Sequence, residues 1–237
     1  MNPAARLLEF VNKAHSVPGN LPAIQGWRKV LDLKEDNCIE IYTGIADIIQ
    51  LTRDTRKAIV GLDGYDQSLF LEPLDKVSSG INVVNLQGPW ELVTNQFDDR
   101  TVLGLRFCST VLDQHSNETS LSDDQIKFWL QDIEDLLDSI AASDVPDQLK
   151  IFFLEHLEKL RFALLHYWIF GTVGVQSAVE RTAGAIIVRI AQNPEIRNNS
   201  FWGRFLALLT NLANAITVLE GAQSLSGGVL SLLSGVP

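Results

Sequence analysis

Apolar residues recur at helical spacing along nearly the whole chain, and nowhere do they keep the period of two that a half-buried strand requires. In the first segment Asn2 is placed to cap a helix and Pro3 suits its first position. Ala4, Leu7, Leu8 and Val11 then fall at i, i+3, i+4 and i+7, with Ala14 one turn further on, up to the turn Val17-Pro18-Gly19-Asn20. Residues 22–33 predict a short second helix. Residues 35–60 predict a longer one with Ile41, Ile45, Ile48, Ile49 and Thr52 on one face, closed by the turn Gly61-Leu62-Asp63-Gly64. Two more helices are expected over 66–83 and 90–114, separated by Gly88-Pro89.

The firmest local signal is Leu121-Ser122-Asp123-Asp124-Gln125-Ile126. Ser122 and Gln125 are spaced for a reciprocal capping box, and Leu121 for a hydrophobic staple onto Ile126. Ile126, Trp129, Leu130, Ile133, Leu136, Leu137 and Ile140 follow as one apolar face, with Asp132, Glu134, Asp135 and Asp138 mostly away from it. Asp144-Val145-Pro146-Asp147 restarts a helix through Leu149, Phe152, Phe153, Leu157, Leu160, Leu164 and Trp168, and Gly171 is a natural stop or kink. From Thr172 to Gln192 the pattern is rich in small residues. Asn193-Pro194 breaks it, and Ser200 is placed to cap a last helix whose Phe201, Phe205, Leu208, Leu209, Leu212, Ile216 and Leu219 share a face. Short connections between amphipathic helices predict an all-α antiparallel multi-helix bundle with an apolar C-terminal helix and tail. The chain reads as a single helical domain over 1–237. A sub-boundary is allowed near 115–121, where the sequence turns polar, and residues 200–237 form the C-terminal helix and a Gly/Ser-rich tail.

Composition narrows the function classes. The chain has 237 residues, 46% of them hydrophobic, so a packed core is available and disorder is excluded. The net charge of −10 argues against nucleic-acid binding by bulk electrostatics, which needs clustered Lys and Arg. The acidic excess is concentrated in residues 113–158, where Lys127 and Lys150 are the only bases, and the stretch beyond is mildly basic. Cys38 and Cys108 have neither CxxC nor zinc spacing, which fits a reduced, cytoplasmic setting, and the first residues lack the form of a secretory signal.

The chemistry-bearing motifs are few. Gly171-Thr172-Val173-Gly174 lacks the Lys-Ser/Thr of a phosphate loop, and neither HExxH nor GxSxG occurs. No histidine follows a glutamate at the Glu-x-x-His spacing with which bundles hold two metals. No cofactor and no metal is therefore expected. Arg161 and His166, in RFALLH, match the Arg-x4-His spacing of the HEPN ribonuclease superfamily, whose domains are helical and whose paired protomers cut RNA. That resemblance implies Arg161 beside a phosphate and His166 as the acid or base. Phe162 departs from it, standing where that motif usually carries a polar residue.

A broader resemblance is carried by residues 149–185, LKIFFLEHLEKLRFALLHYWIFGTVGVQSAVERTAGA, with PGNLPAIQGWRKVL at 18–31. Together these look similar to a group of bacterial helical proteins of unknown function. The resemblance implies a bacterial source and an all-α fold, and carries no catalytic residue across.

Between Phe205 and Pro237 the only charged side chain is Glu220. The uncharged runs on either side of it fall short of the roughly 20 apolar residues of a spanning helix. Gly221, Gly227, Gly228 and Gly235 weaken a water-exposed helix in the second run. Three readings compete: a central bundle helix surrounded by its neighbours, a surface covered by another chain, and conditional insertion into a membrane. Arg181, Arg189, Arg197 and Arg204 suit the last by favouring an anionic lipid surface. The expectation is a non-enzymatic interaction protein, cytoplasmic or conditionally associated with the inner membrane, with membrane perturbation of the bacterial defence or toxin kind as its sharper form. Its partners would be a protein or a second copy, or a membrane. The expected interaction residues are Phe205, Leu208, Leu209, Leu212, Ile216, Leu219, Val229, Leu230, Leu232 and Leu233. The ribonuclease using Arg161 and His166, and a purely structural or partner-binding scaffold, are the alternatives.

Overall fold

The computed structural model describes residues 1–33, 38–62, 64–65, 67–82, 85–115, 120–193, 196–197 and 199–220, with side chains as far as 216 in the last helix. The protein is all α, with ten helices among the described residues. It divides into two compact units, Met1–Glu118 and Thr119–Pro237, the division falling within the polar stretch 115–121.

The first unit holds α1 (Pro3–Ser16), α2 (Ala23–Val30), α3 (Cys38–Val60), α4 (Gln67–Ile81), α5 (Glu91–Thr94) and α6 (Asp99–His115). Asn2 caps α1, its Oδ1 accepting from the Ala5 N–H at 2.9 Å, and Pro3 opens the helix. The Asn2 Nδ2 donates to the Ser109 carbonyl and to Asp113 Oδ1, tying the start of α1 to α6. The start of α2 has no side-chain cap. Instead the Ala23 and Ile24 N–H groups donate to the carbonyls of Gly88 and Leu86 at 2.7 and 2.8 Å, while Trp90 N–H donates to Leu21 at 2.7 Å. The two segments pair at one isolated antiparallel bridge between Pro22 and Pro89. The core beside them is aromatic. Phe10 stacks on Trp27 at 5.7 Å, Trp90 stands edge-on to Trp27 at 5.3 Å, and Phe97 stands edge-on to Phe10. Gly26 is required there, since a Cβ would lie 2.3 Å from the Trp90 ring.

Two expectations for this unit are corrected. The helix expected over 90–114 is broken between α5 and α6, because Asp98 starts a new one: its Oδ1 accepts from both the backbone N–H and the hydroxyl of Thr101 at 2.8 Å. The buried face of α3 is also rotated from the expected one. It runs through Ile41, Gly44, Ile48, Leu51, Thr52, Thr55 and Ile59, leaving Ile45 and Ile49 half-buried on its flank. Gly44 lets α3 approach Leu31, and Thr52 and Thr55 are tolerated inside because each hydroxyl donates to the carbonyl four residues back at 2.8 Å.

The second unit is a closed ring of four helices: α7 (Asp123–Ala141), α8 (Asp147–Leu165), α9 (Tyr167–Gln192) and α10 (Trp202–Glu220), each packing on the next and α10 returning to α7. The capping box at Ser122 is complete, with Gln125 N–H donating to the Ser122 hydroxyl and Ser122 N–H to the Gln125 side chain. Leu121 is buried, and its N–H donates to the Tyr167 hydroxyl at 2.9 Å. The expected α7 stripe is the buried one, from Trp129 through Ile133, Leu136 and Leu137 to Ile140, with Ile126 and Leu130 at its edge. The long helix expected through Trp168 turns instead at His166, and the chain bends again at Gly171, whose φ of 61° only glycine adopts without strain. Near the start of α10 the side chain that takes a backbone N–H is Asn199, accepting from Phe201 at 2.9 Å, one residue before the expected cap at Ser200.

Candidate functional site

The sequence-named interaction residues of α10 lie inside the second unit. Phe205, Leu208, Leu209, Leu212 and Ile216 are between 0% and 2% exposed and belong to one apolar cluster with α7, α8 and α9. Phe205 packs edge-on to Phe153 at 5.3 Å and to Phe152 at 6.5 Å. The outward side of the helix shows Gly203, Arg204, Ala207, Asn211 and Asn214, a face of small and polar residues. In this closed arrangement the five apolar residues fill the core, and they reach another molecule only when the ring of helices opens. The side chain of Leu219, and Val229, Leu230, Leu232 and Leu233, lie outside the described residues. No described helix is long and apolar enough to cross a membrane.

Arg161 lies within α8 and His166 caps its C-terminal end. Five positions along a helix separate them by about 140° around its axis. Arg161 is held by two carboxylates, Glu158 Oε2 at 3.2 Å on its own helix and Glu134 Oε1 at 3.6 Å on α7. A phosphate approaching that guanidinium meets the same two carboxylates. His166 lies over the Phe162 ring at 4.1 Å, with Nδ1 3.0 Å from the Phe162 carbonyl oxygen, and Phe170 completes a triangle of rings at 6.2 Å from His166 and 6.0 Å from Phe162.

The remaining reactive side chains are dispersed. Among the described residues no three His, Cys, Asp or Glu side chains come close enough to hold a metal ion. Cys108 is buried against the Phe70 carbonyl, and burial pushes its thiol up to about 11, so it is not a nucleophile near neutrality. Asp47, half-buried on α3, is pushed up to about 6 by desolvation.

Sequence reading missed three buried polar groups, His156 on α8 and Thr182 and Arg189 on α9. His156 is 7% exposed, its ring against Phe152 at 4.6 Å, and its Nδ1 has no hydrogen-bond partner. Thr182 Oγ1 and Arg189 Nε are likewise buried without partners. The available signal was a histidine one turn from Phe152 and from Leu160 within an apolar stripe, and a threonine between Val179 and Ile186 in another.

No family model matches the chain, and neither a curated protein nor a solved structure matches it. The functional reading rests on the chain's own residues.

Proposed function

We propose that the protein is a non-enzymatic helical interaction protein whose C-terminal unit is the acting part. It works through the apolar face of α10 and the uncharged stretch that follows, and the bundle stores that face when the protein is idle. The partner is a second apolar surface, belonging to another protein or another copy of this chain. Perturbation of an anionic membrane is the sharper form of the same reading. A bacterial cytoplasm and its inner membrane are the setting this reading assumes, by analogy with the sequence resemblance and with toxin effectors. One observation carries the proposal: Glu220 is the only charge between Phe205 and Pro237, a composition beyond what a single buried helix face requires.

The test is deletion of Gln223–Pro237, which leaves all of α10 in place. The shortened protein is expected to keep its helical circular dichroism. It should lose self-association in sedimentation, or lose dye leakage from anionic liposomes, whichever the full chain displays. A shortened protein that stays folded and retains both behaviours refutes the proposal, and so does one that unfolds, because the stretch is then core.

A further inference from the structure

The seams of the second unit are closed by different chemistry. Across α7 and α8, Arg161 reaches Glu134, and the Lys150 ammonium donates to the Ala141 and Ser143 carbonyls at 3.1 and 2.8 Å, closing the end of α7. On α8 and α9 polar groups are left over: His156 Nδ1, Thr182 Oγ1 and Arg189 Nε are all buried without a hydrogen bond, and Arg189 also reaches across to α8.

Helix register aligns these three groups along one strip. The Arg189 Nη2 donates to the Gln148 carbonyl at 3.3 Å and fixes the register of the two helices. Seven residues back along α9, about two turns and so on the same face, stands Thr182; eight residues forward along α8 stands His156. In an antiparallel pair both displacements run the same way, by about 10–12 Å, which brings Thr182 and His156 to one level. Phe152 fills the space between the fixed point and that level, with the Arg189 guanidinium 5.8 Å from its ring centre and the His156 ring 4.6 Å away. The buried threonines of α3 show what a satisfied hydroxyl looks like, each bonded to the carbonyl one turn back, and Thr182 lacks that bond. In water all three groups hydrogen-bond freely, so closing this seam forfeits those bonds and opening it restores them.

We propose that the second unit opens at the α8–α9 contact, α9 and α10 parting together from α7 and α8 with release of the α10–α7 contact to present the α10 face, and that His156 makes this opening respond to acidification. The inference rests on the reading of α10 as an interaction surface and supplies its trigger. The charged surroundings of His156 favour the neutral ring. On α8 they are Lys159 and Glu155. On α9 they are Arg189 beyond the Phe152 ring, with Glu180 and Arg181 exposed beside Thr182. On α10 the Phe152 ring that covers His156 meets the uncharged Phe205, with Arg204 exposed beside it, and on α7 Glu134 is engaged by Arg161. Burial, followed by Lys159, holds the His156 imidazole below the usual histidine range, against the weaker opposing pull of Glu155. A proton therefore binds more tightly to the opened form. The closed form is favoured fully above about pH 6.5, and loses ground as the pH falls from there to the lower value of the closed bundle.

The experiment is amide hydrogen exchange on the full chain, alone in solution, at pH 7.4 and 5.5, each rate divided by the intrinsic chemical rate. For the wild type, amides of α9 and α10 are expected to open about threefold or more often at pH 5.5. Thr182→Val, nearly the same shape without the hydroxyl, is expected to slow their opening about tenfold at both pH values. His156→Leu should remove the pH dependence. Unchanged or faster exchange in Thr182→Val, or equal wild-type opening at the two pH values, overturns the seam, and the Thr182 arm holds even where His156→Leu fails to fold. No lipid or partner is present in this measurement. Should the exchange behave as expected while the Gln223–Pro237 deletion changes neither association nor leakage, the seam stands and the interaction reading falls.

Discussion

Replacing Phe205 by Ala separates a core residue from a docking residue. The ring is fully buried and touches Phe153 and Phe152 at 5.3 and 6.5 Å. An aromatic side chain takes roughly 150–250 Å² out of water, which at about 25 cal/mol/Å² amounts to about 4–6 kcal/mol as an upper bound. The Cβ remains after truncation and the cavity relaxes in part, so a loss of about 3–5 kcal/mol is expected. That is a large share of the 5–15 kcal/mol typical of a whole domain. With a urea slope of about 1.5 kcal/mol/M, the midpoint of the second unit should fall by roughly 2–3 M. The assay is urea unfolding of the full chain, followed by both tryptophan fluorescence and far-UV circular dichroism so that transitions of the two units are resolved. A loss under about 1 kcal/mol would refute the reasoning, because it would mean that the ring is displaced from the bundle at little cost and that α10 is a surface helix.

The same unfolding assay reads three further expectations. Gly26→Ala should destabilise by about 1–3 kcal/mol, since its new methyl meets the Trp90 ring at 2.3 Å, whereas Gly184→Ala, mid-α9 with nothing within 4 Å, should stabilise by about 0.5–1 kcal/mol; equal effects would refute the packing described around Trp90. Asp47→Asn should stabilise by about 1 kcal/mol at pH 7, after discounting for the solvent still reaching the group, and the gain should vanish below about pH 4, where the wild-type carboxyl is protonated folded and unfolded alike; a gain that persists in acid points to packing instead. For the ribonuclease alternative, single-stranded RNA incubated with wild type and with His166→Ala should remain intact in both, and cleavage by the wild type alone would reinstate Arg161 and His166 as a site.

Short-range signals were the legible part of the sequence. The Ser122–Gln125 box and the Asn2-Pro3 start depend on residues three apart, and the α7 stripe on one uninterrupted period, so local chemistry and final structure agree. The break before α6 was local too, in the spacing of Asp98 and Thr101, but the apolar period running on to Leu105 masked it. Elsewhere the deciding partner is distant. Nothing near Ala23 announces that Gly88 and Leu86 will accept its first amides, and the rotation of the α3 face follows from Leu31 seating on Gly44. For α10 the period shows which residues share a face and is silent on what covers them, so the same stripe serves equally as core or as contact surface. The orphaned atoms of His156, Thr182 and Arg189 were beyond reach for a related reason. Whether a buried polar group finds a partner is a property of the helix opposite.

The borrowed carbonyls at the start of α2 also set an order of events during folding. Eight residues are too few to hold a helix in water alone, and the hydrogen bonds that start this one come from Leu86 and Gly88. The neighbouring bond from Trp90 Nε1 to the Ala14 carbonyl spans 76 positions, a loop whose closure costs about 4 kcal/mol of chain entropy before any packing is gained. As the chain leaves the ribosome, α1 has its own cap and is free to flicker into shape at once. α2 must wait for residues 86–90 to emerge, so a nascent chain halted short of them should carry residues 23–30 as coil.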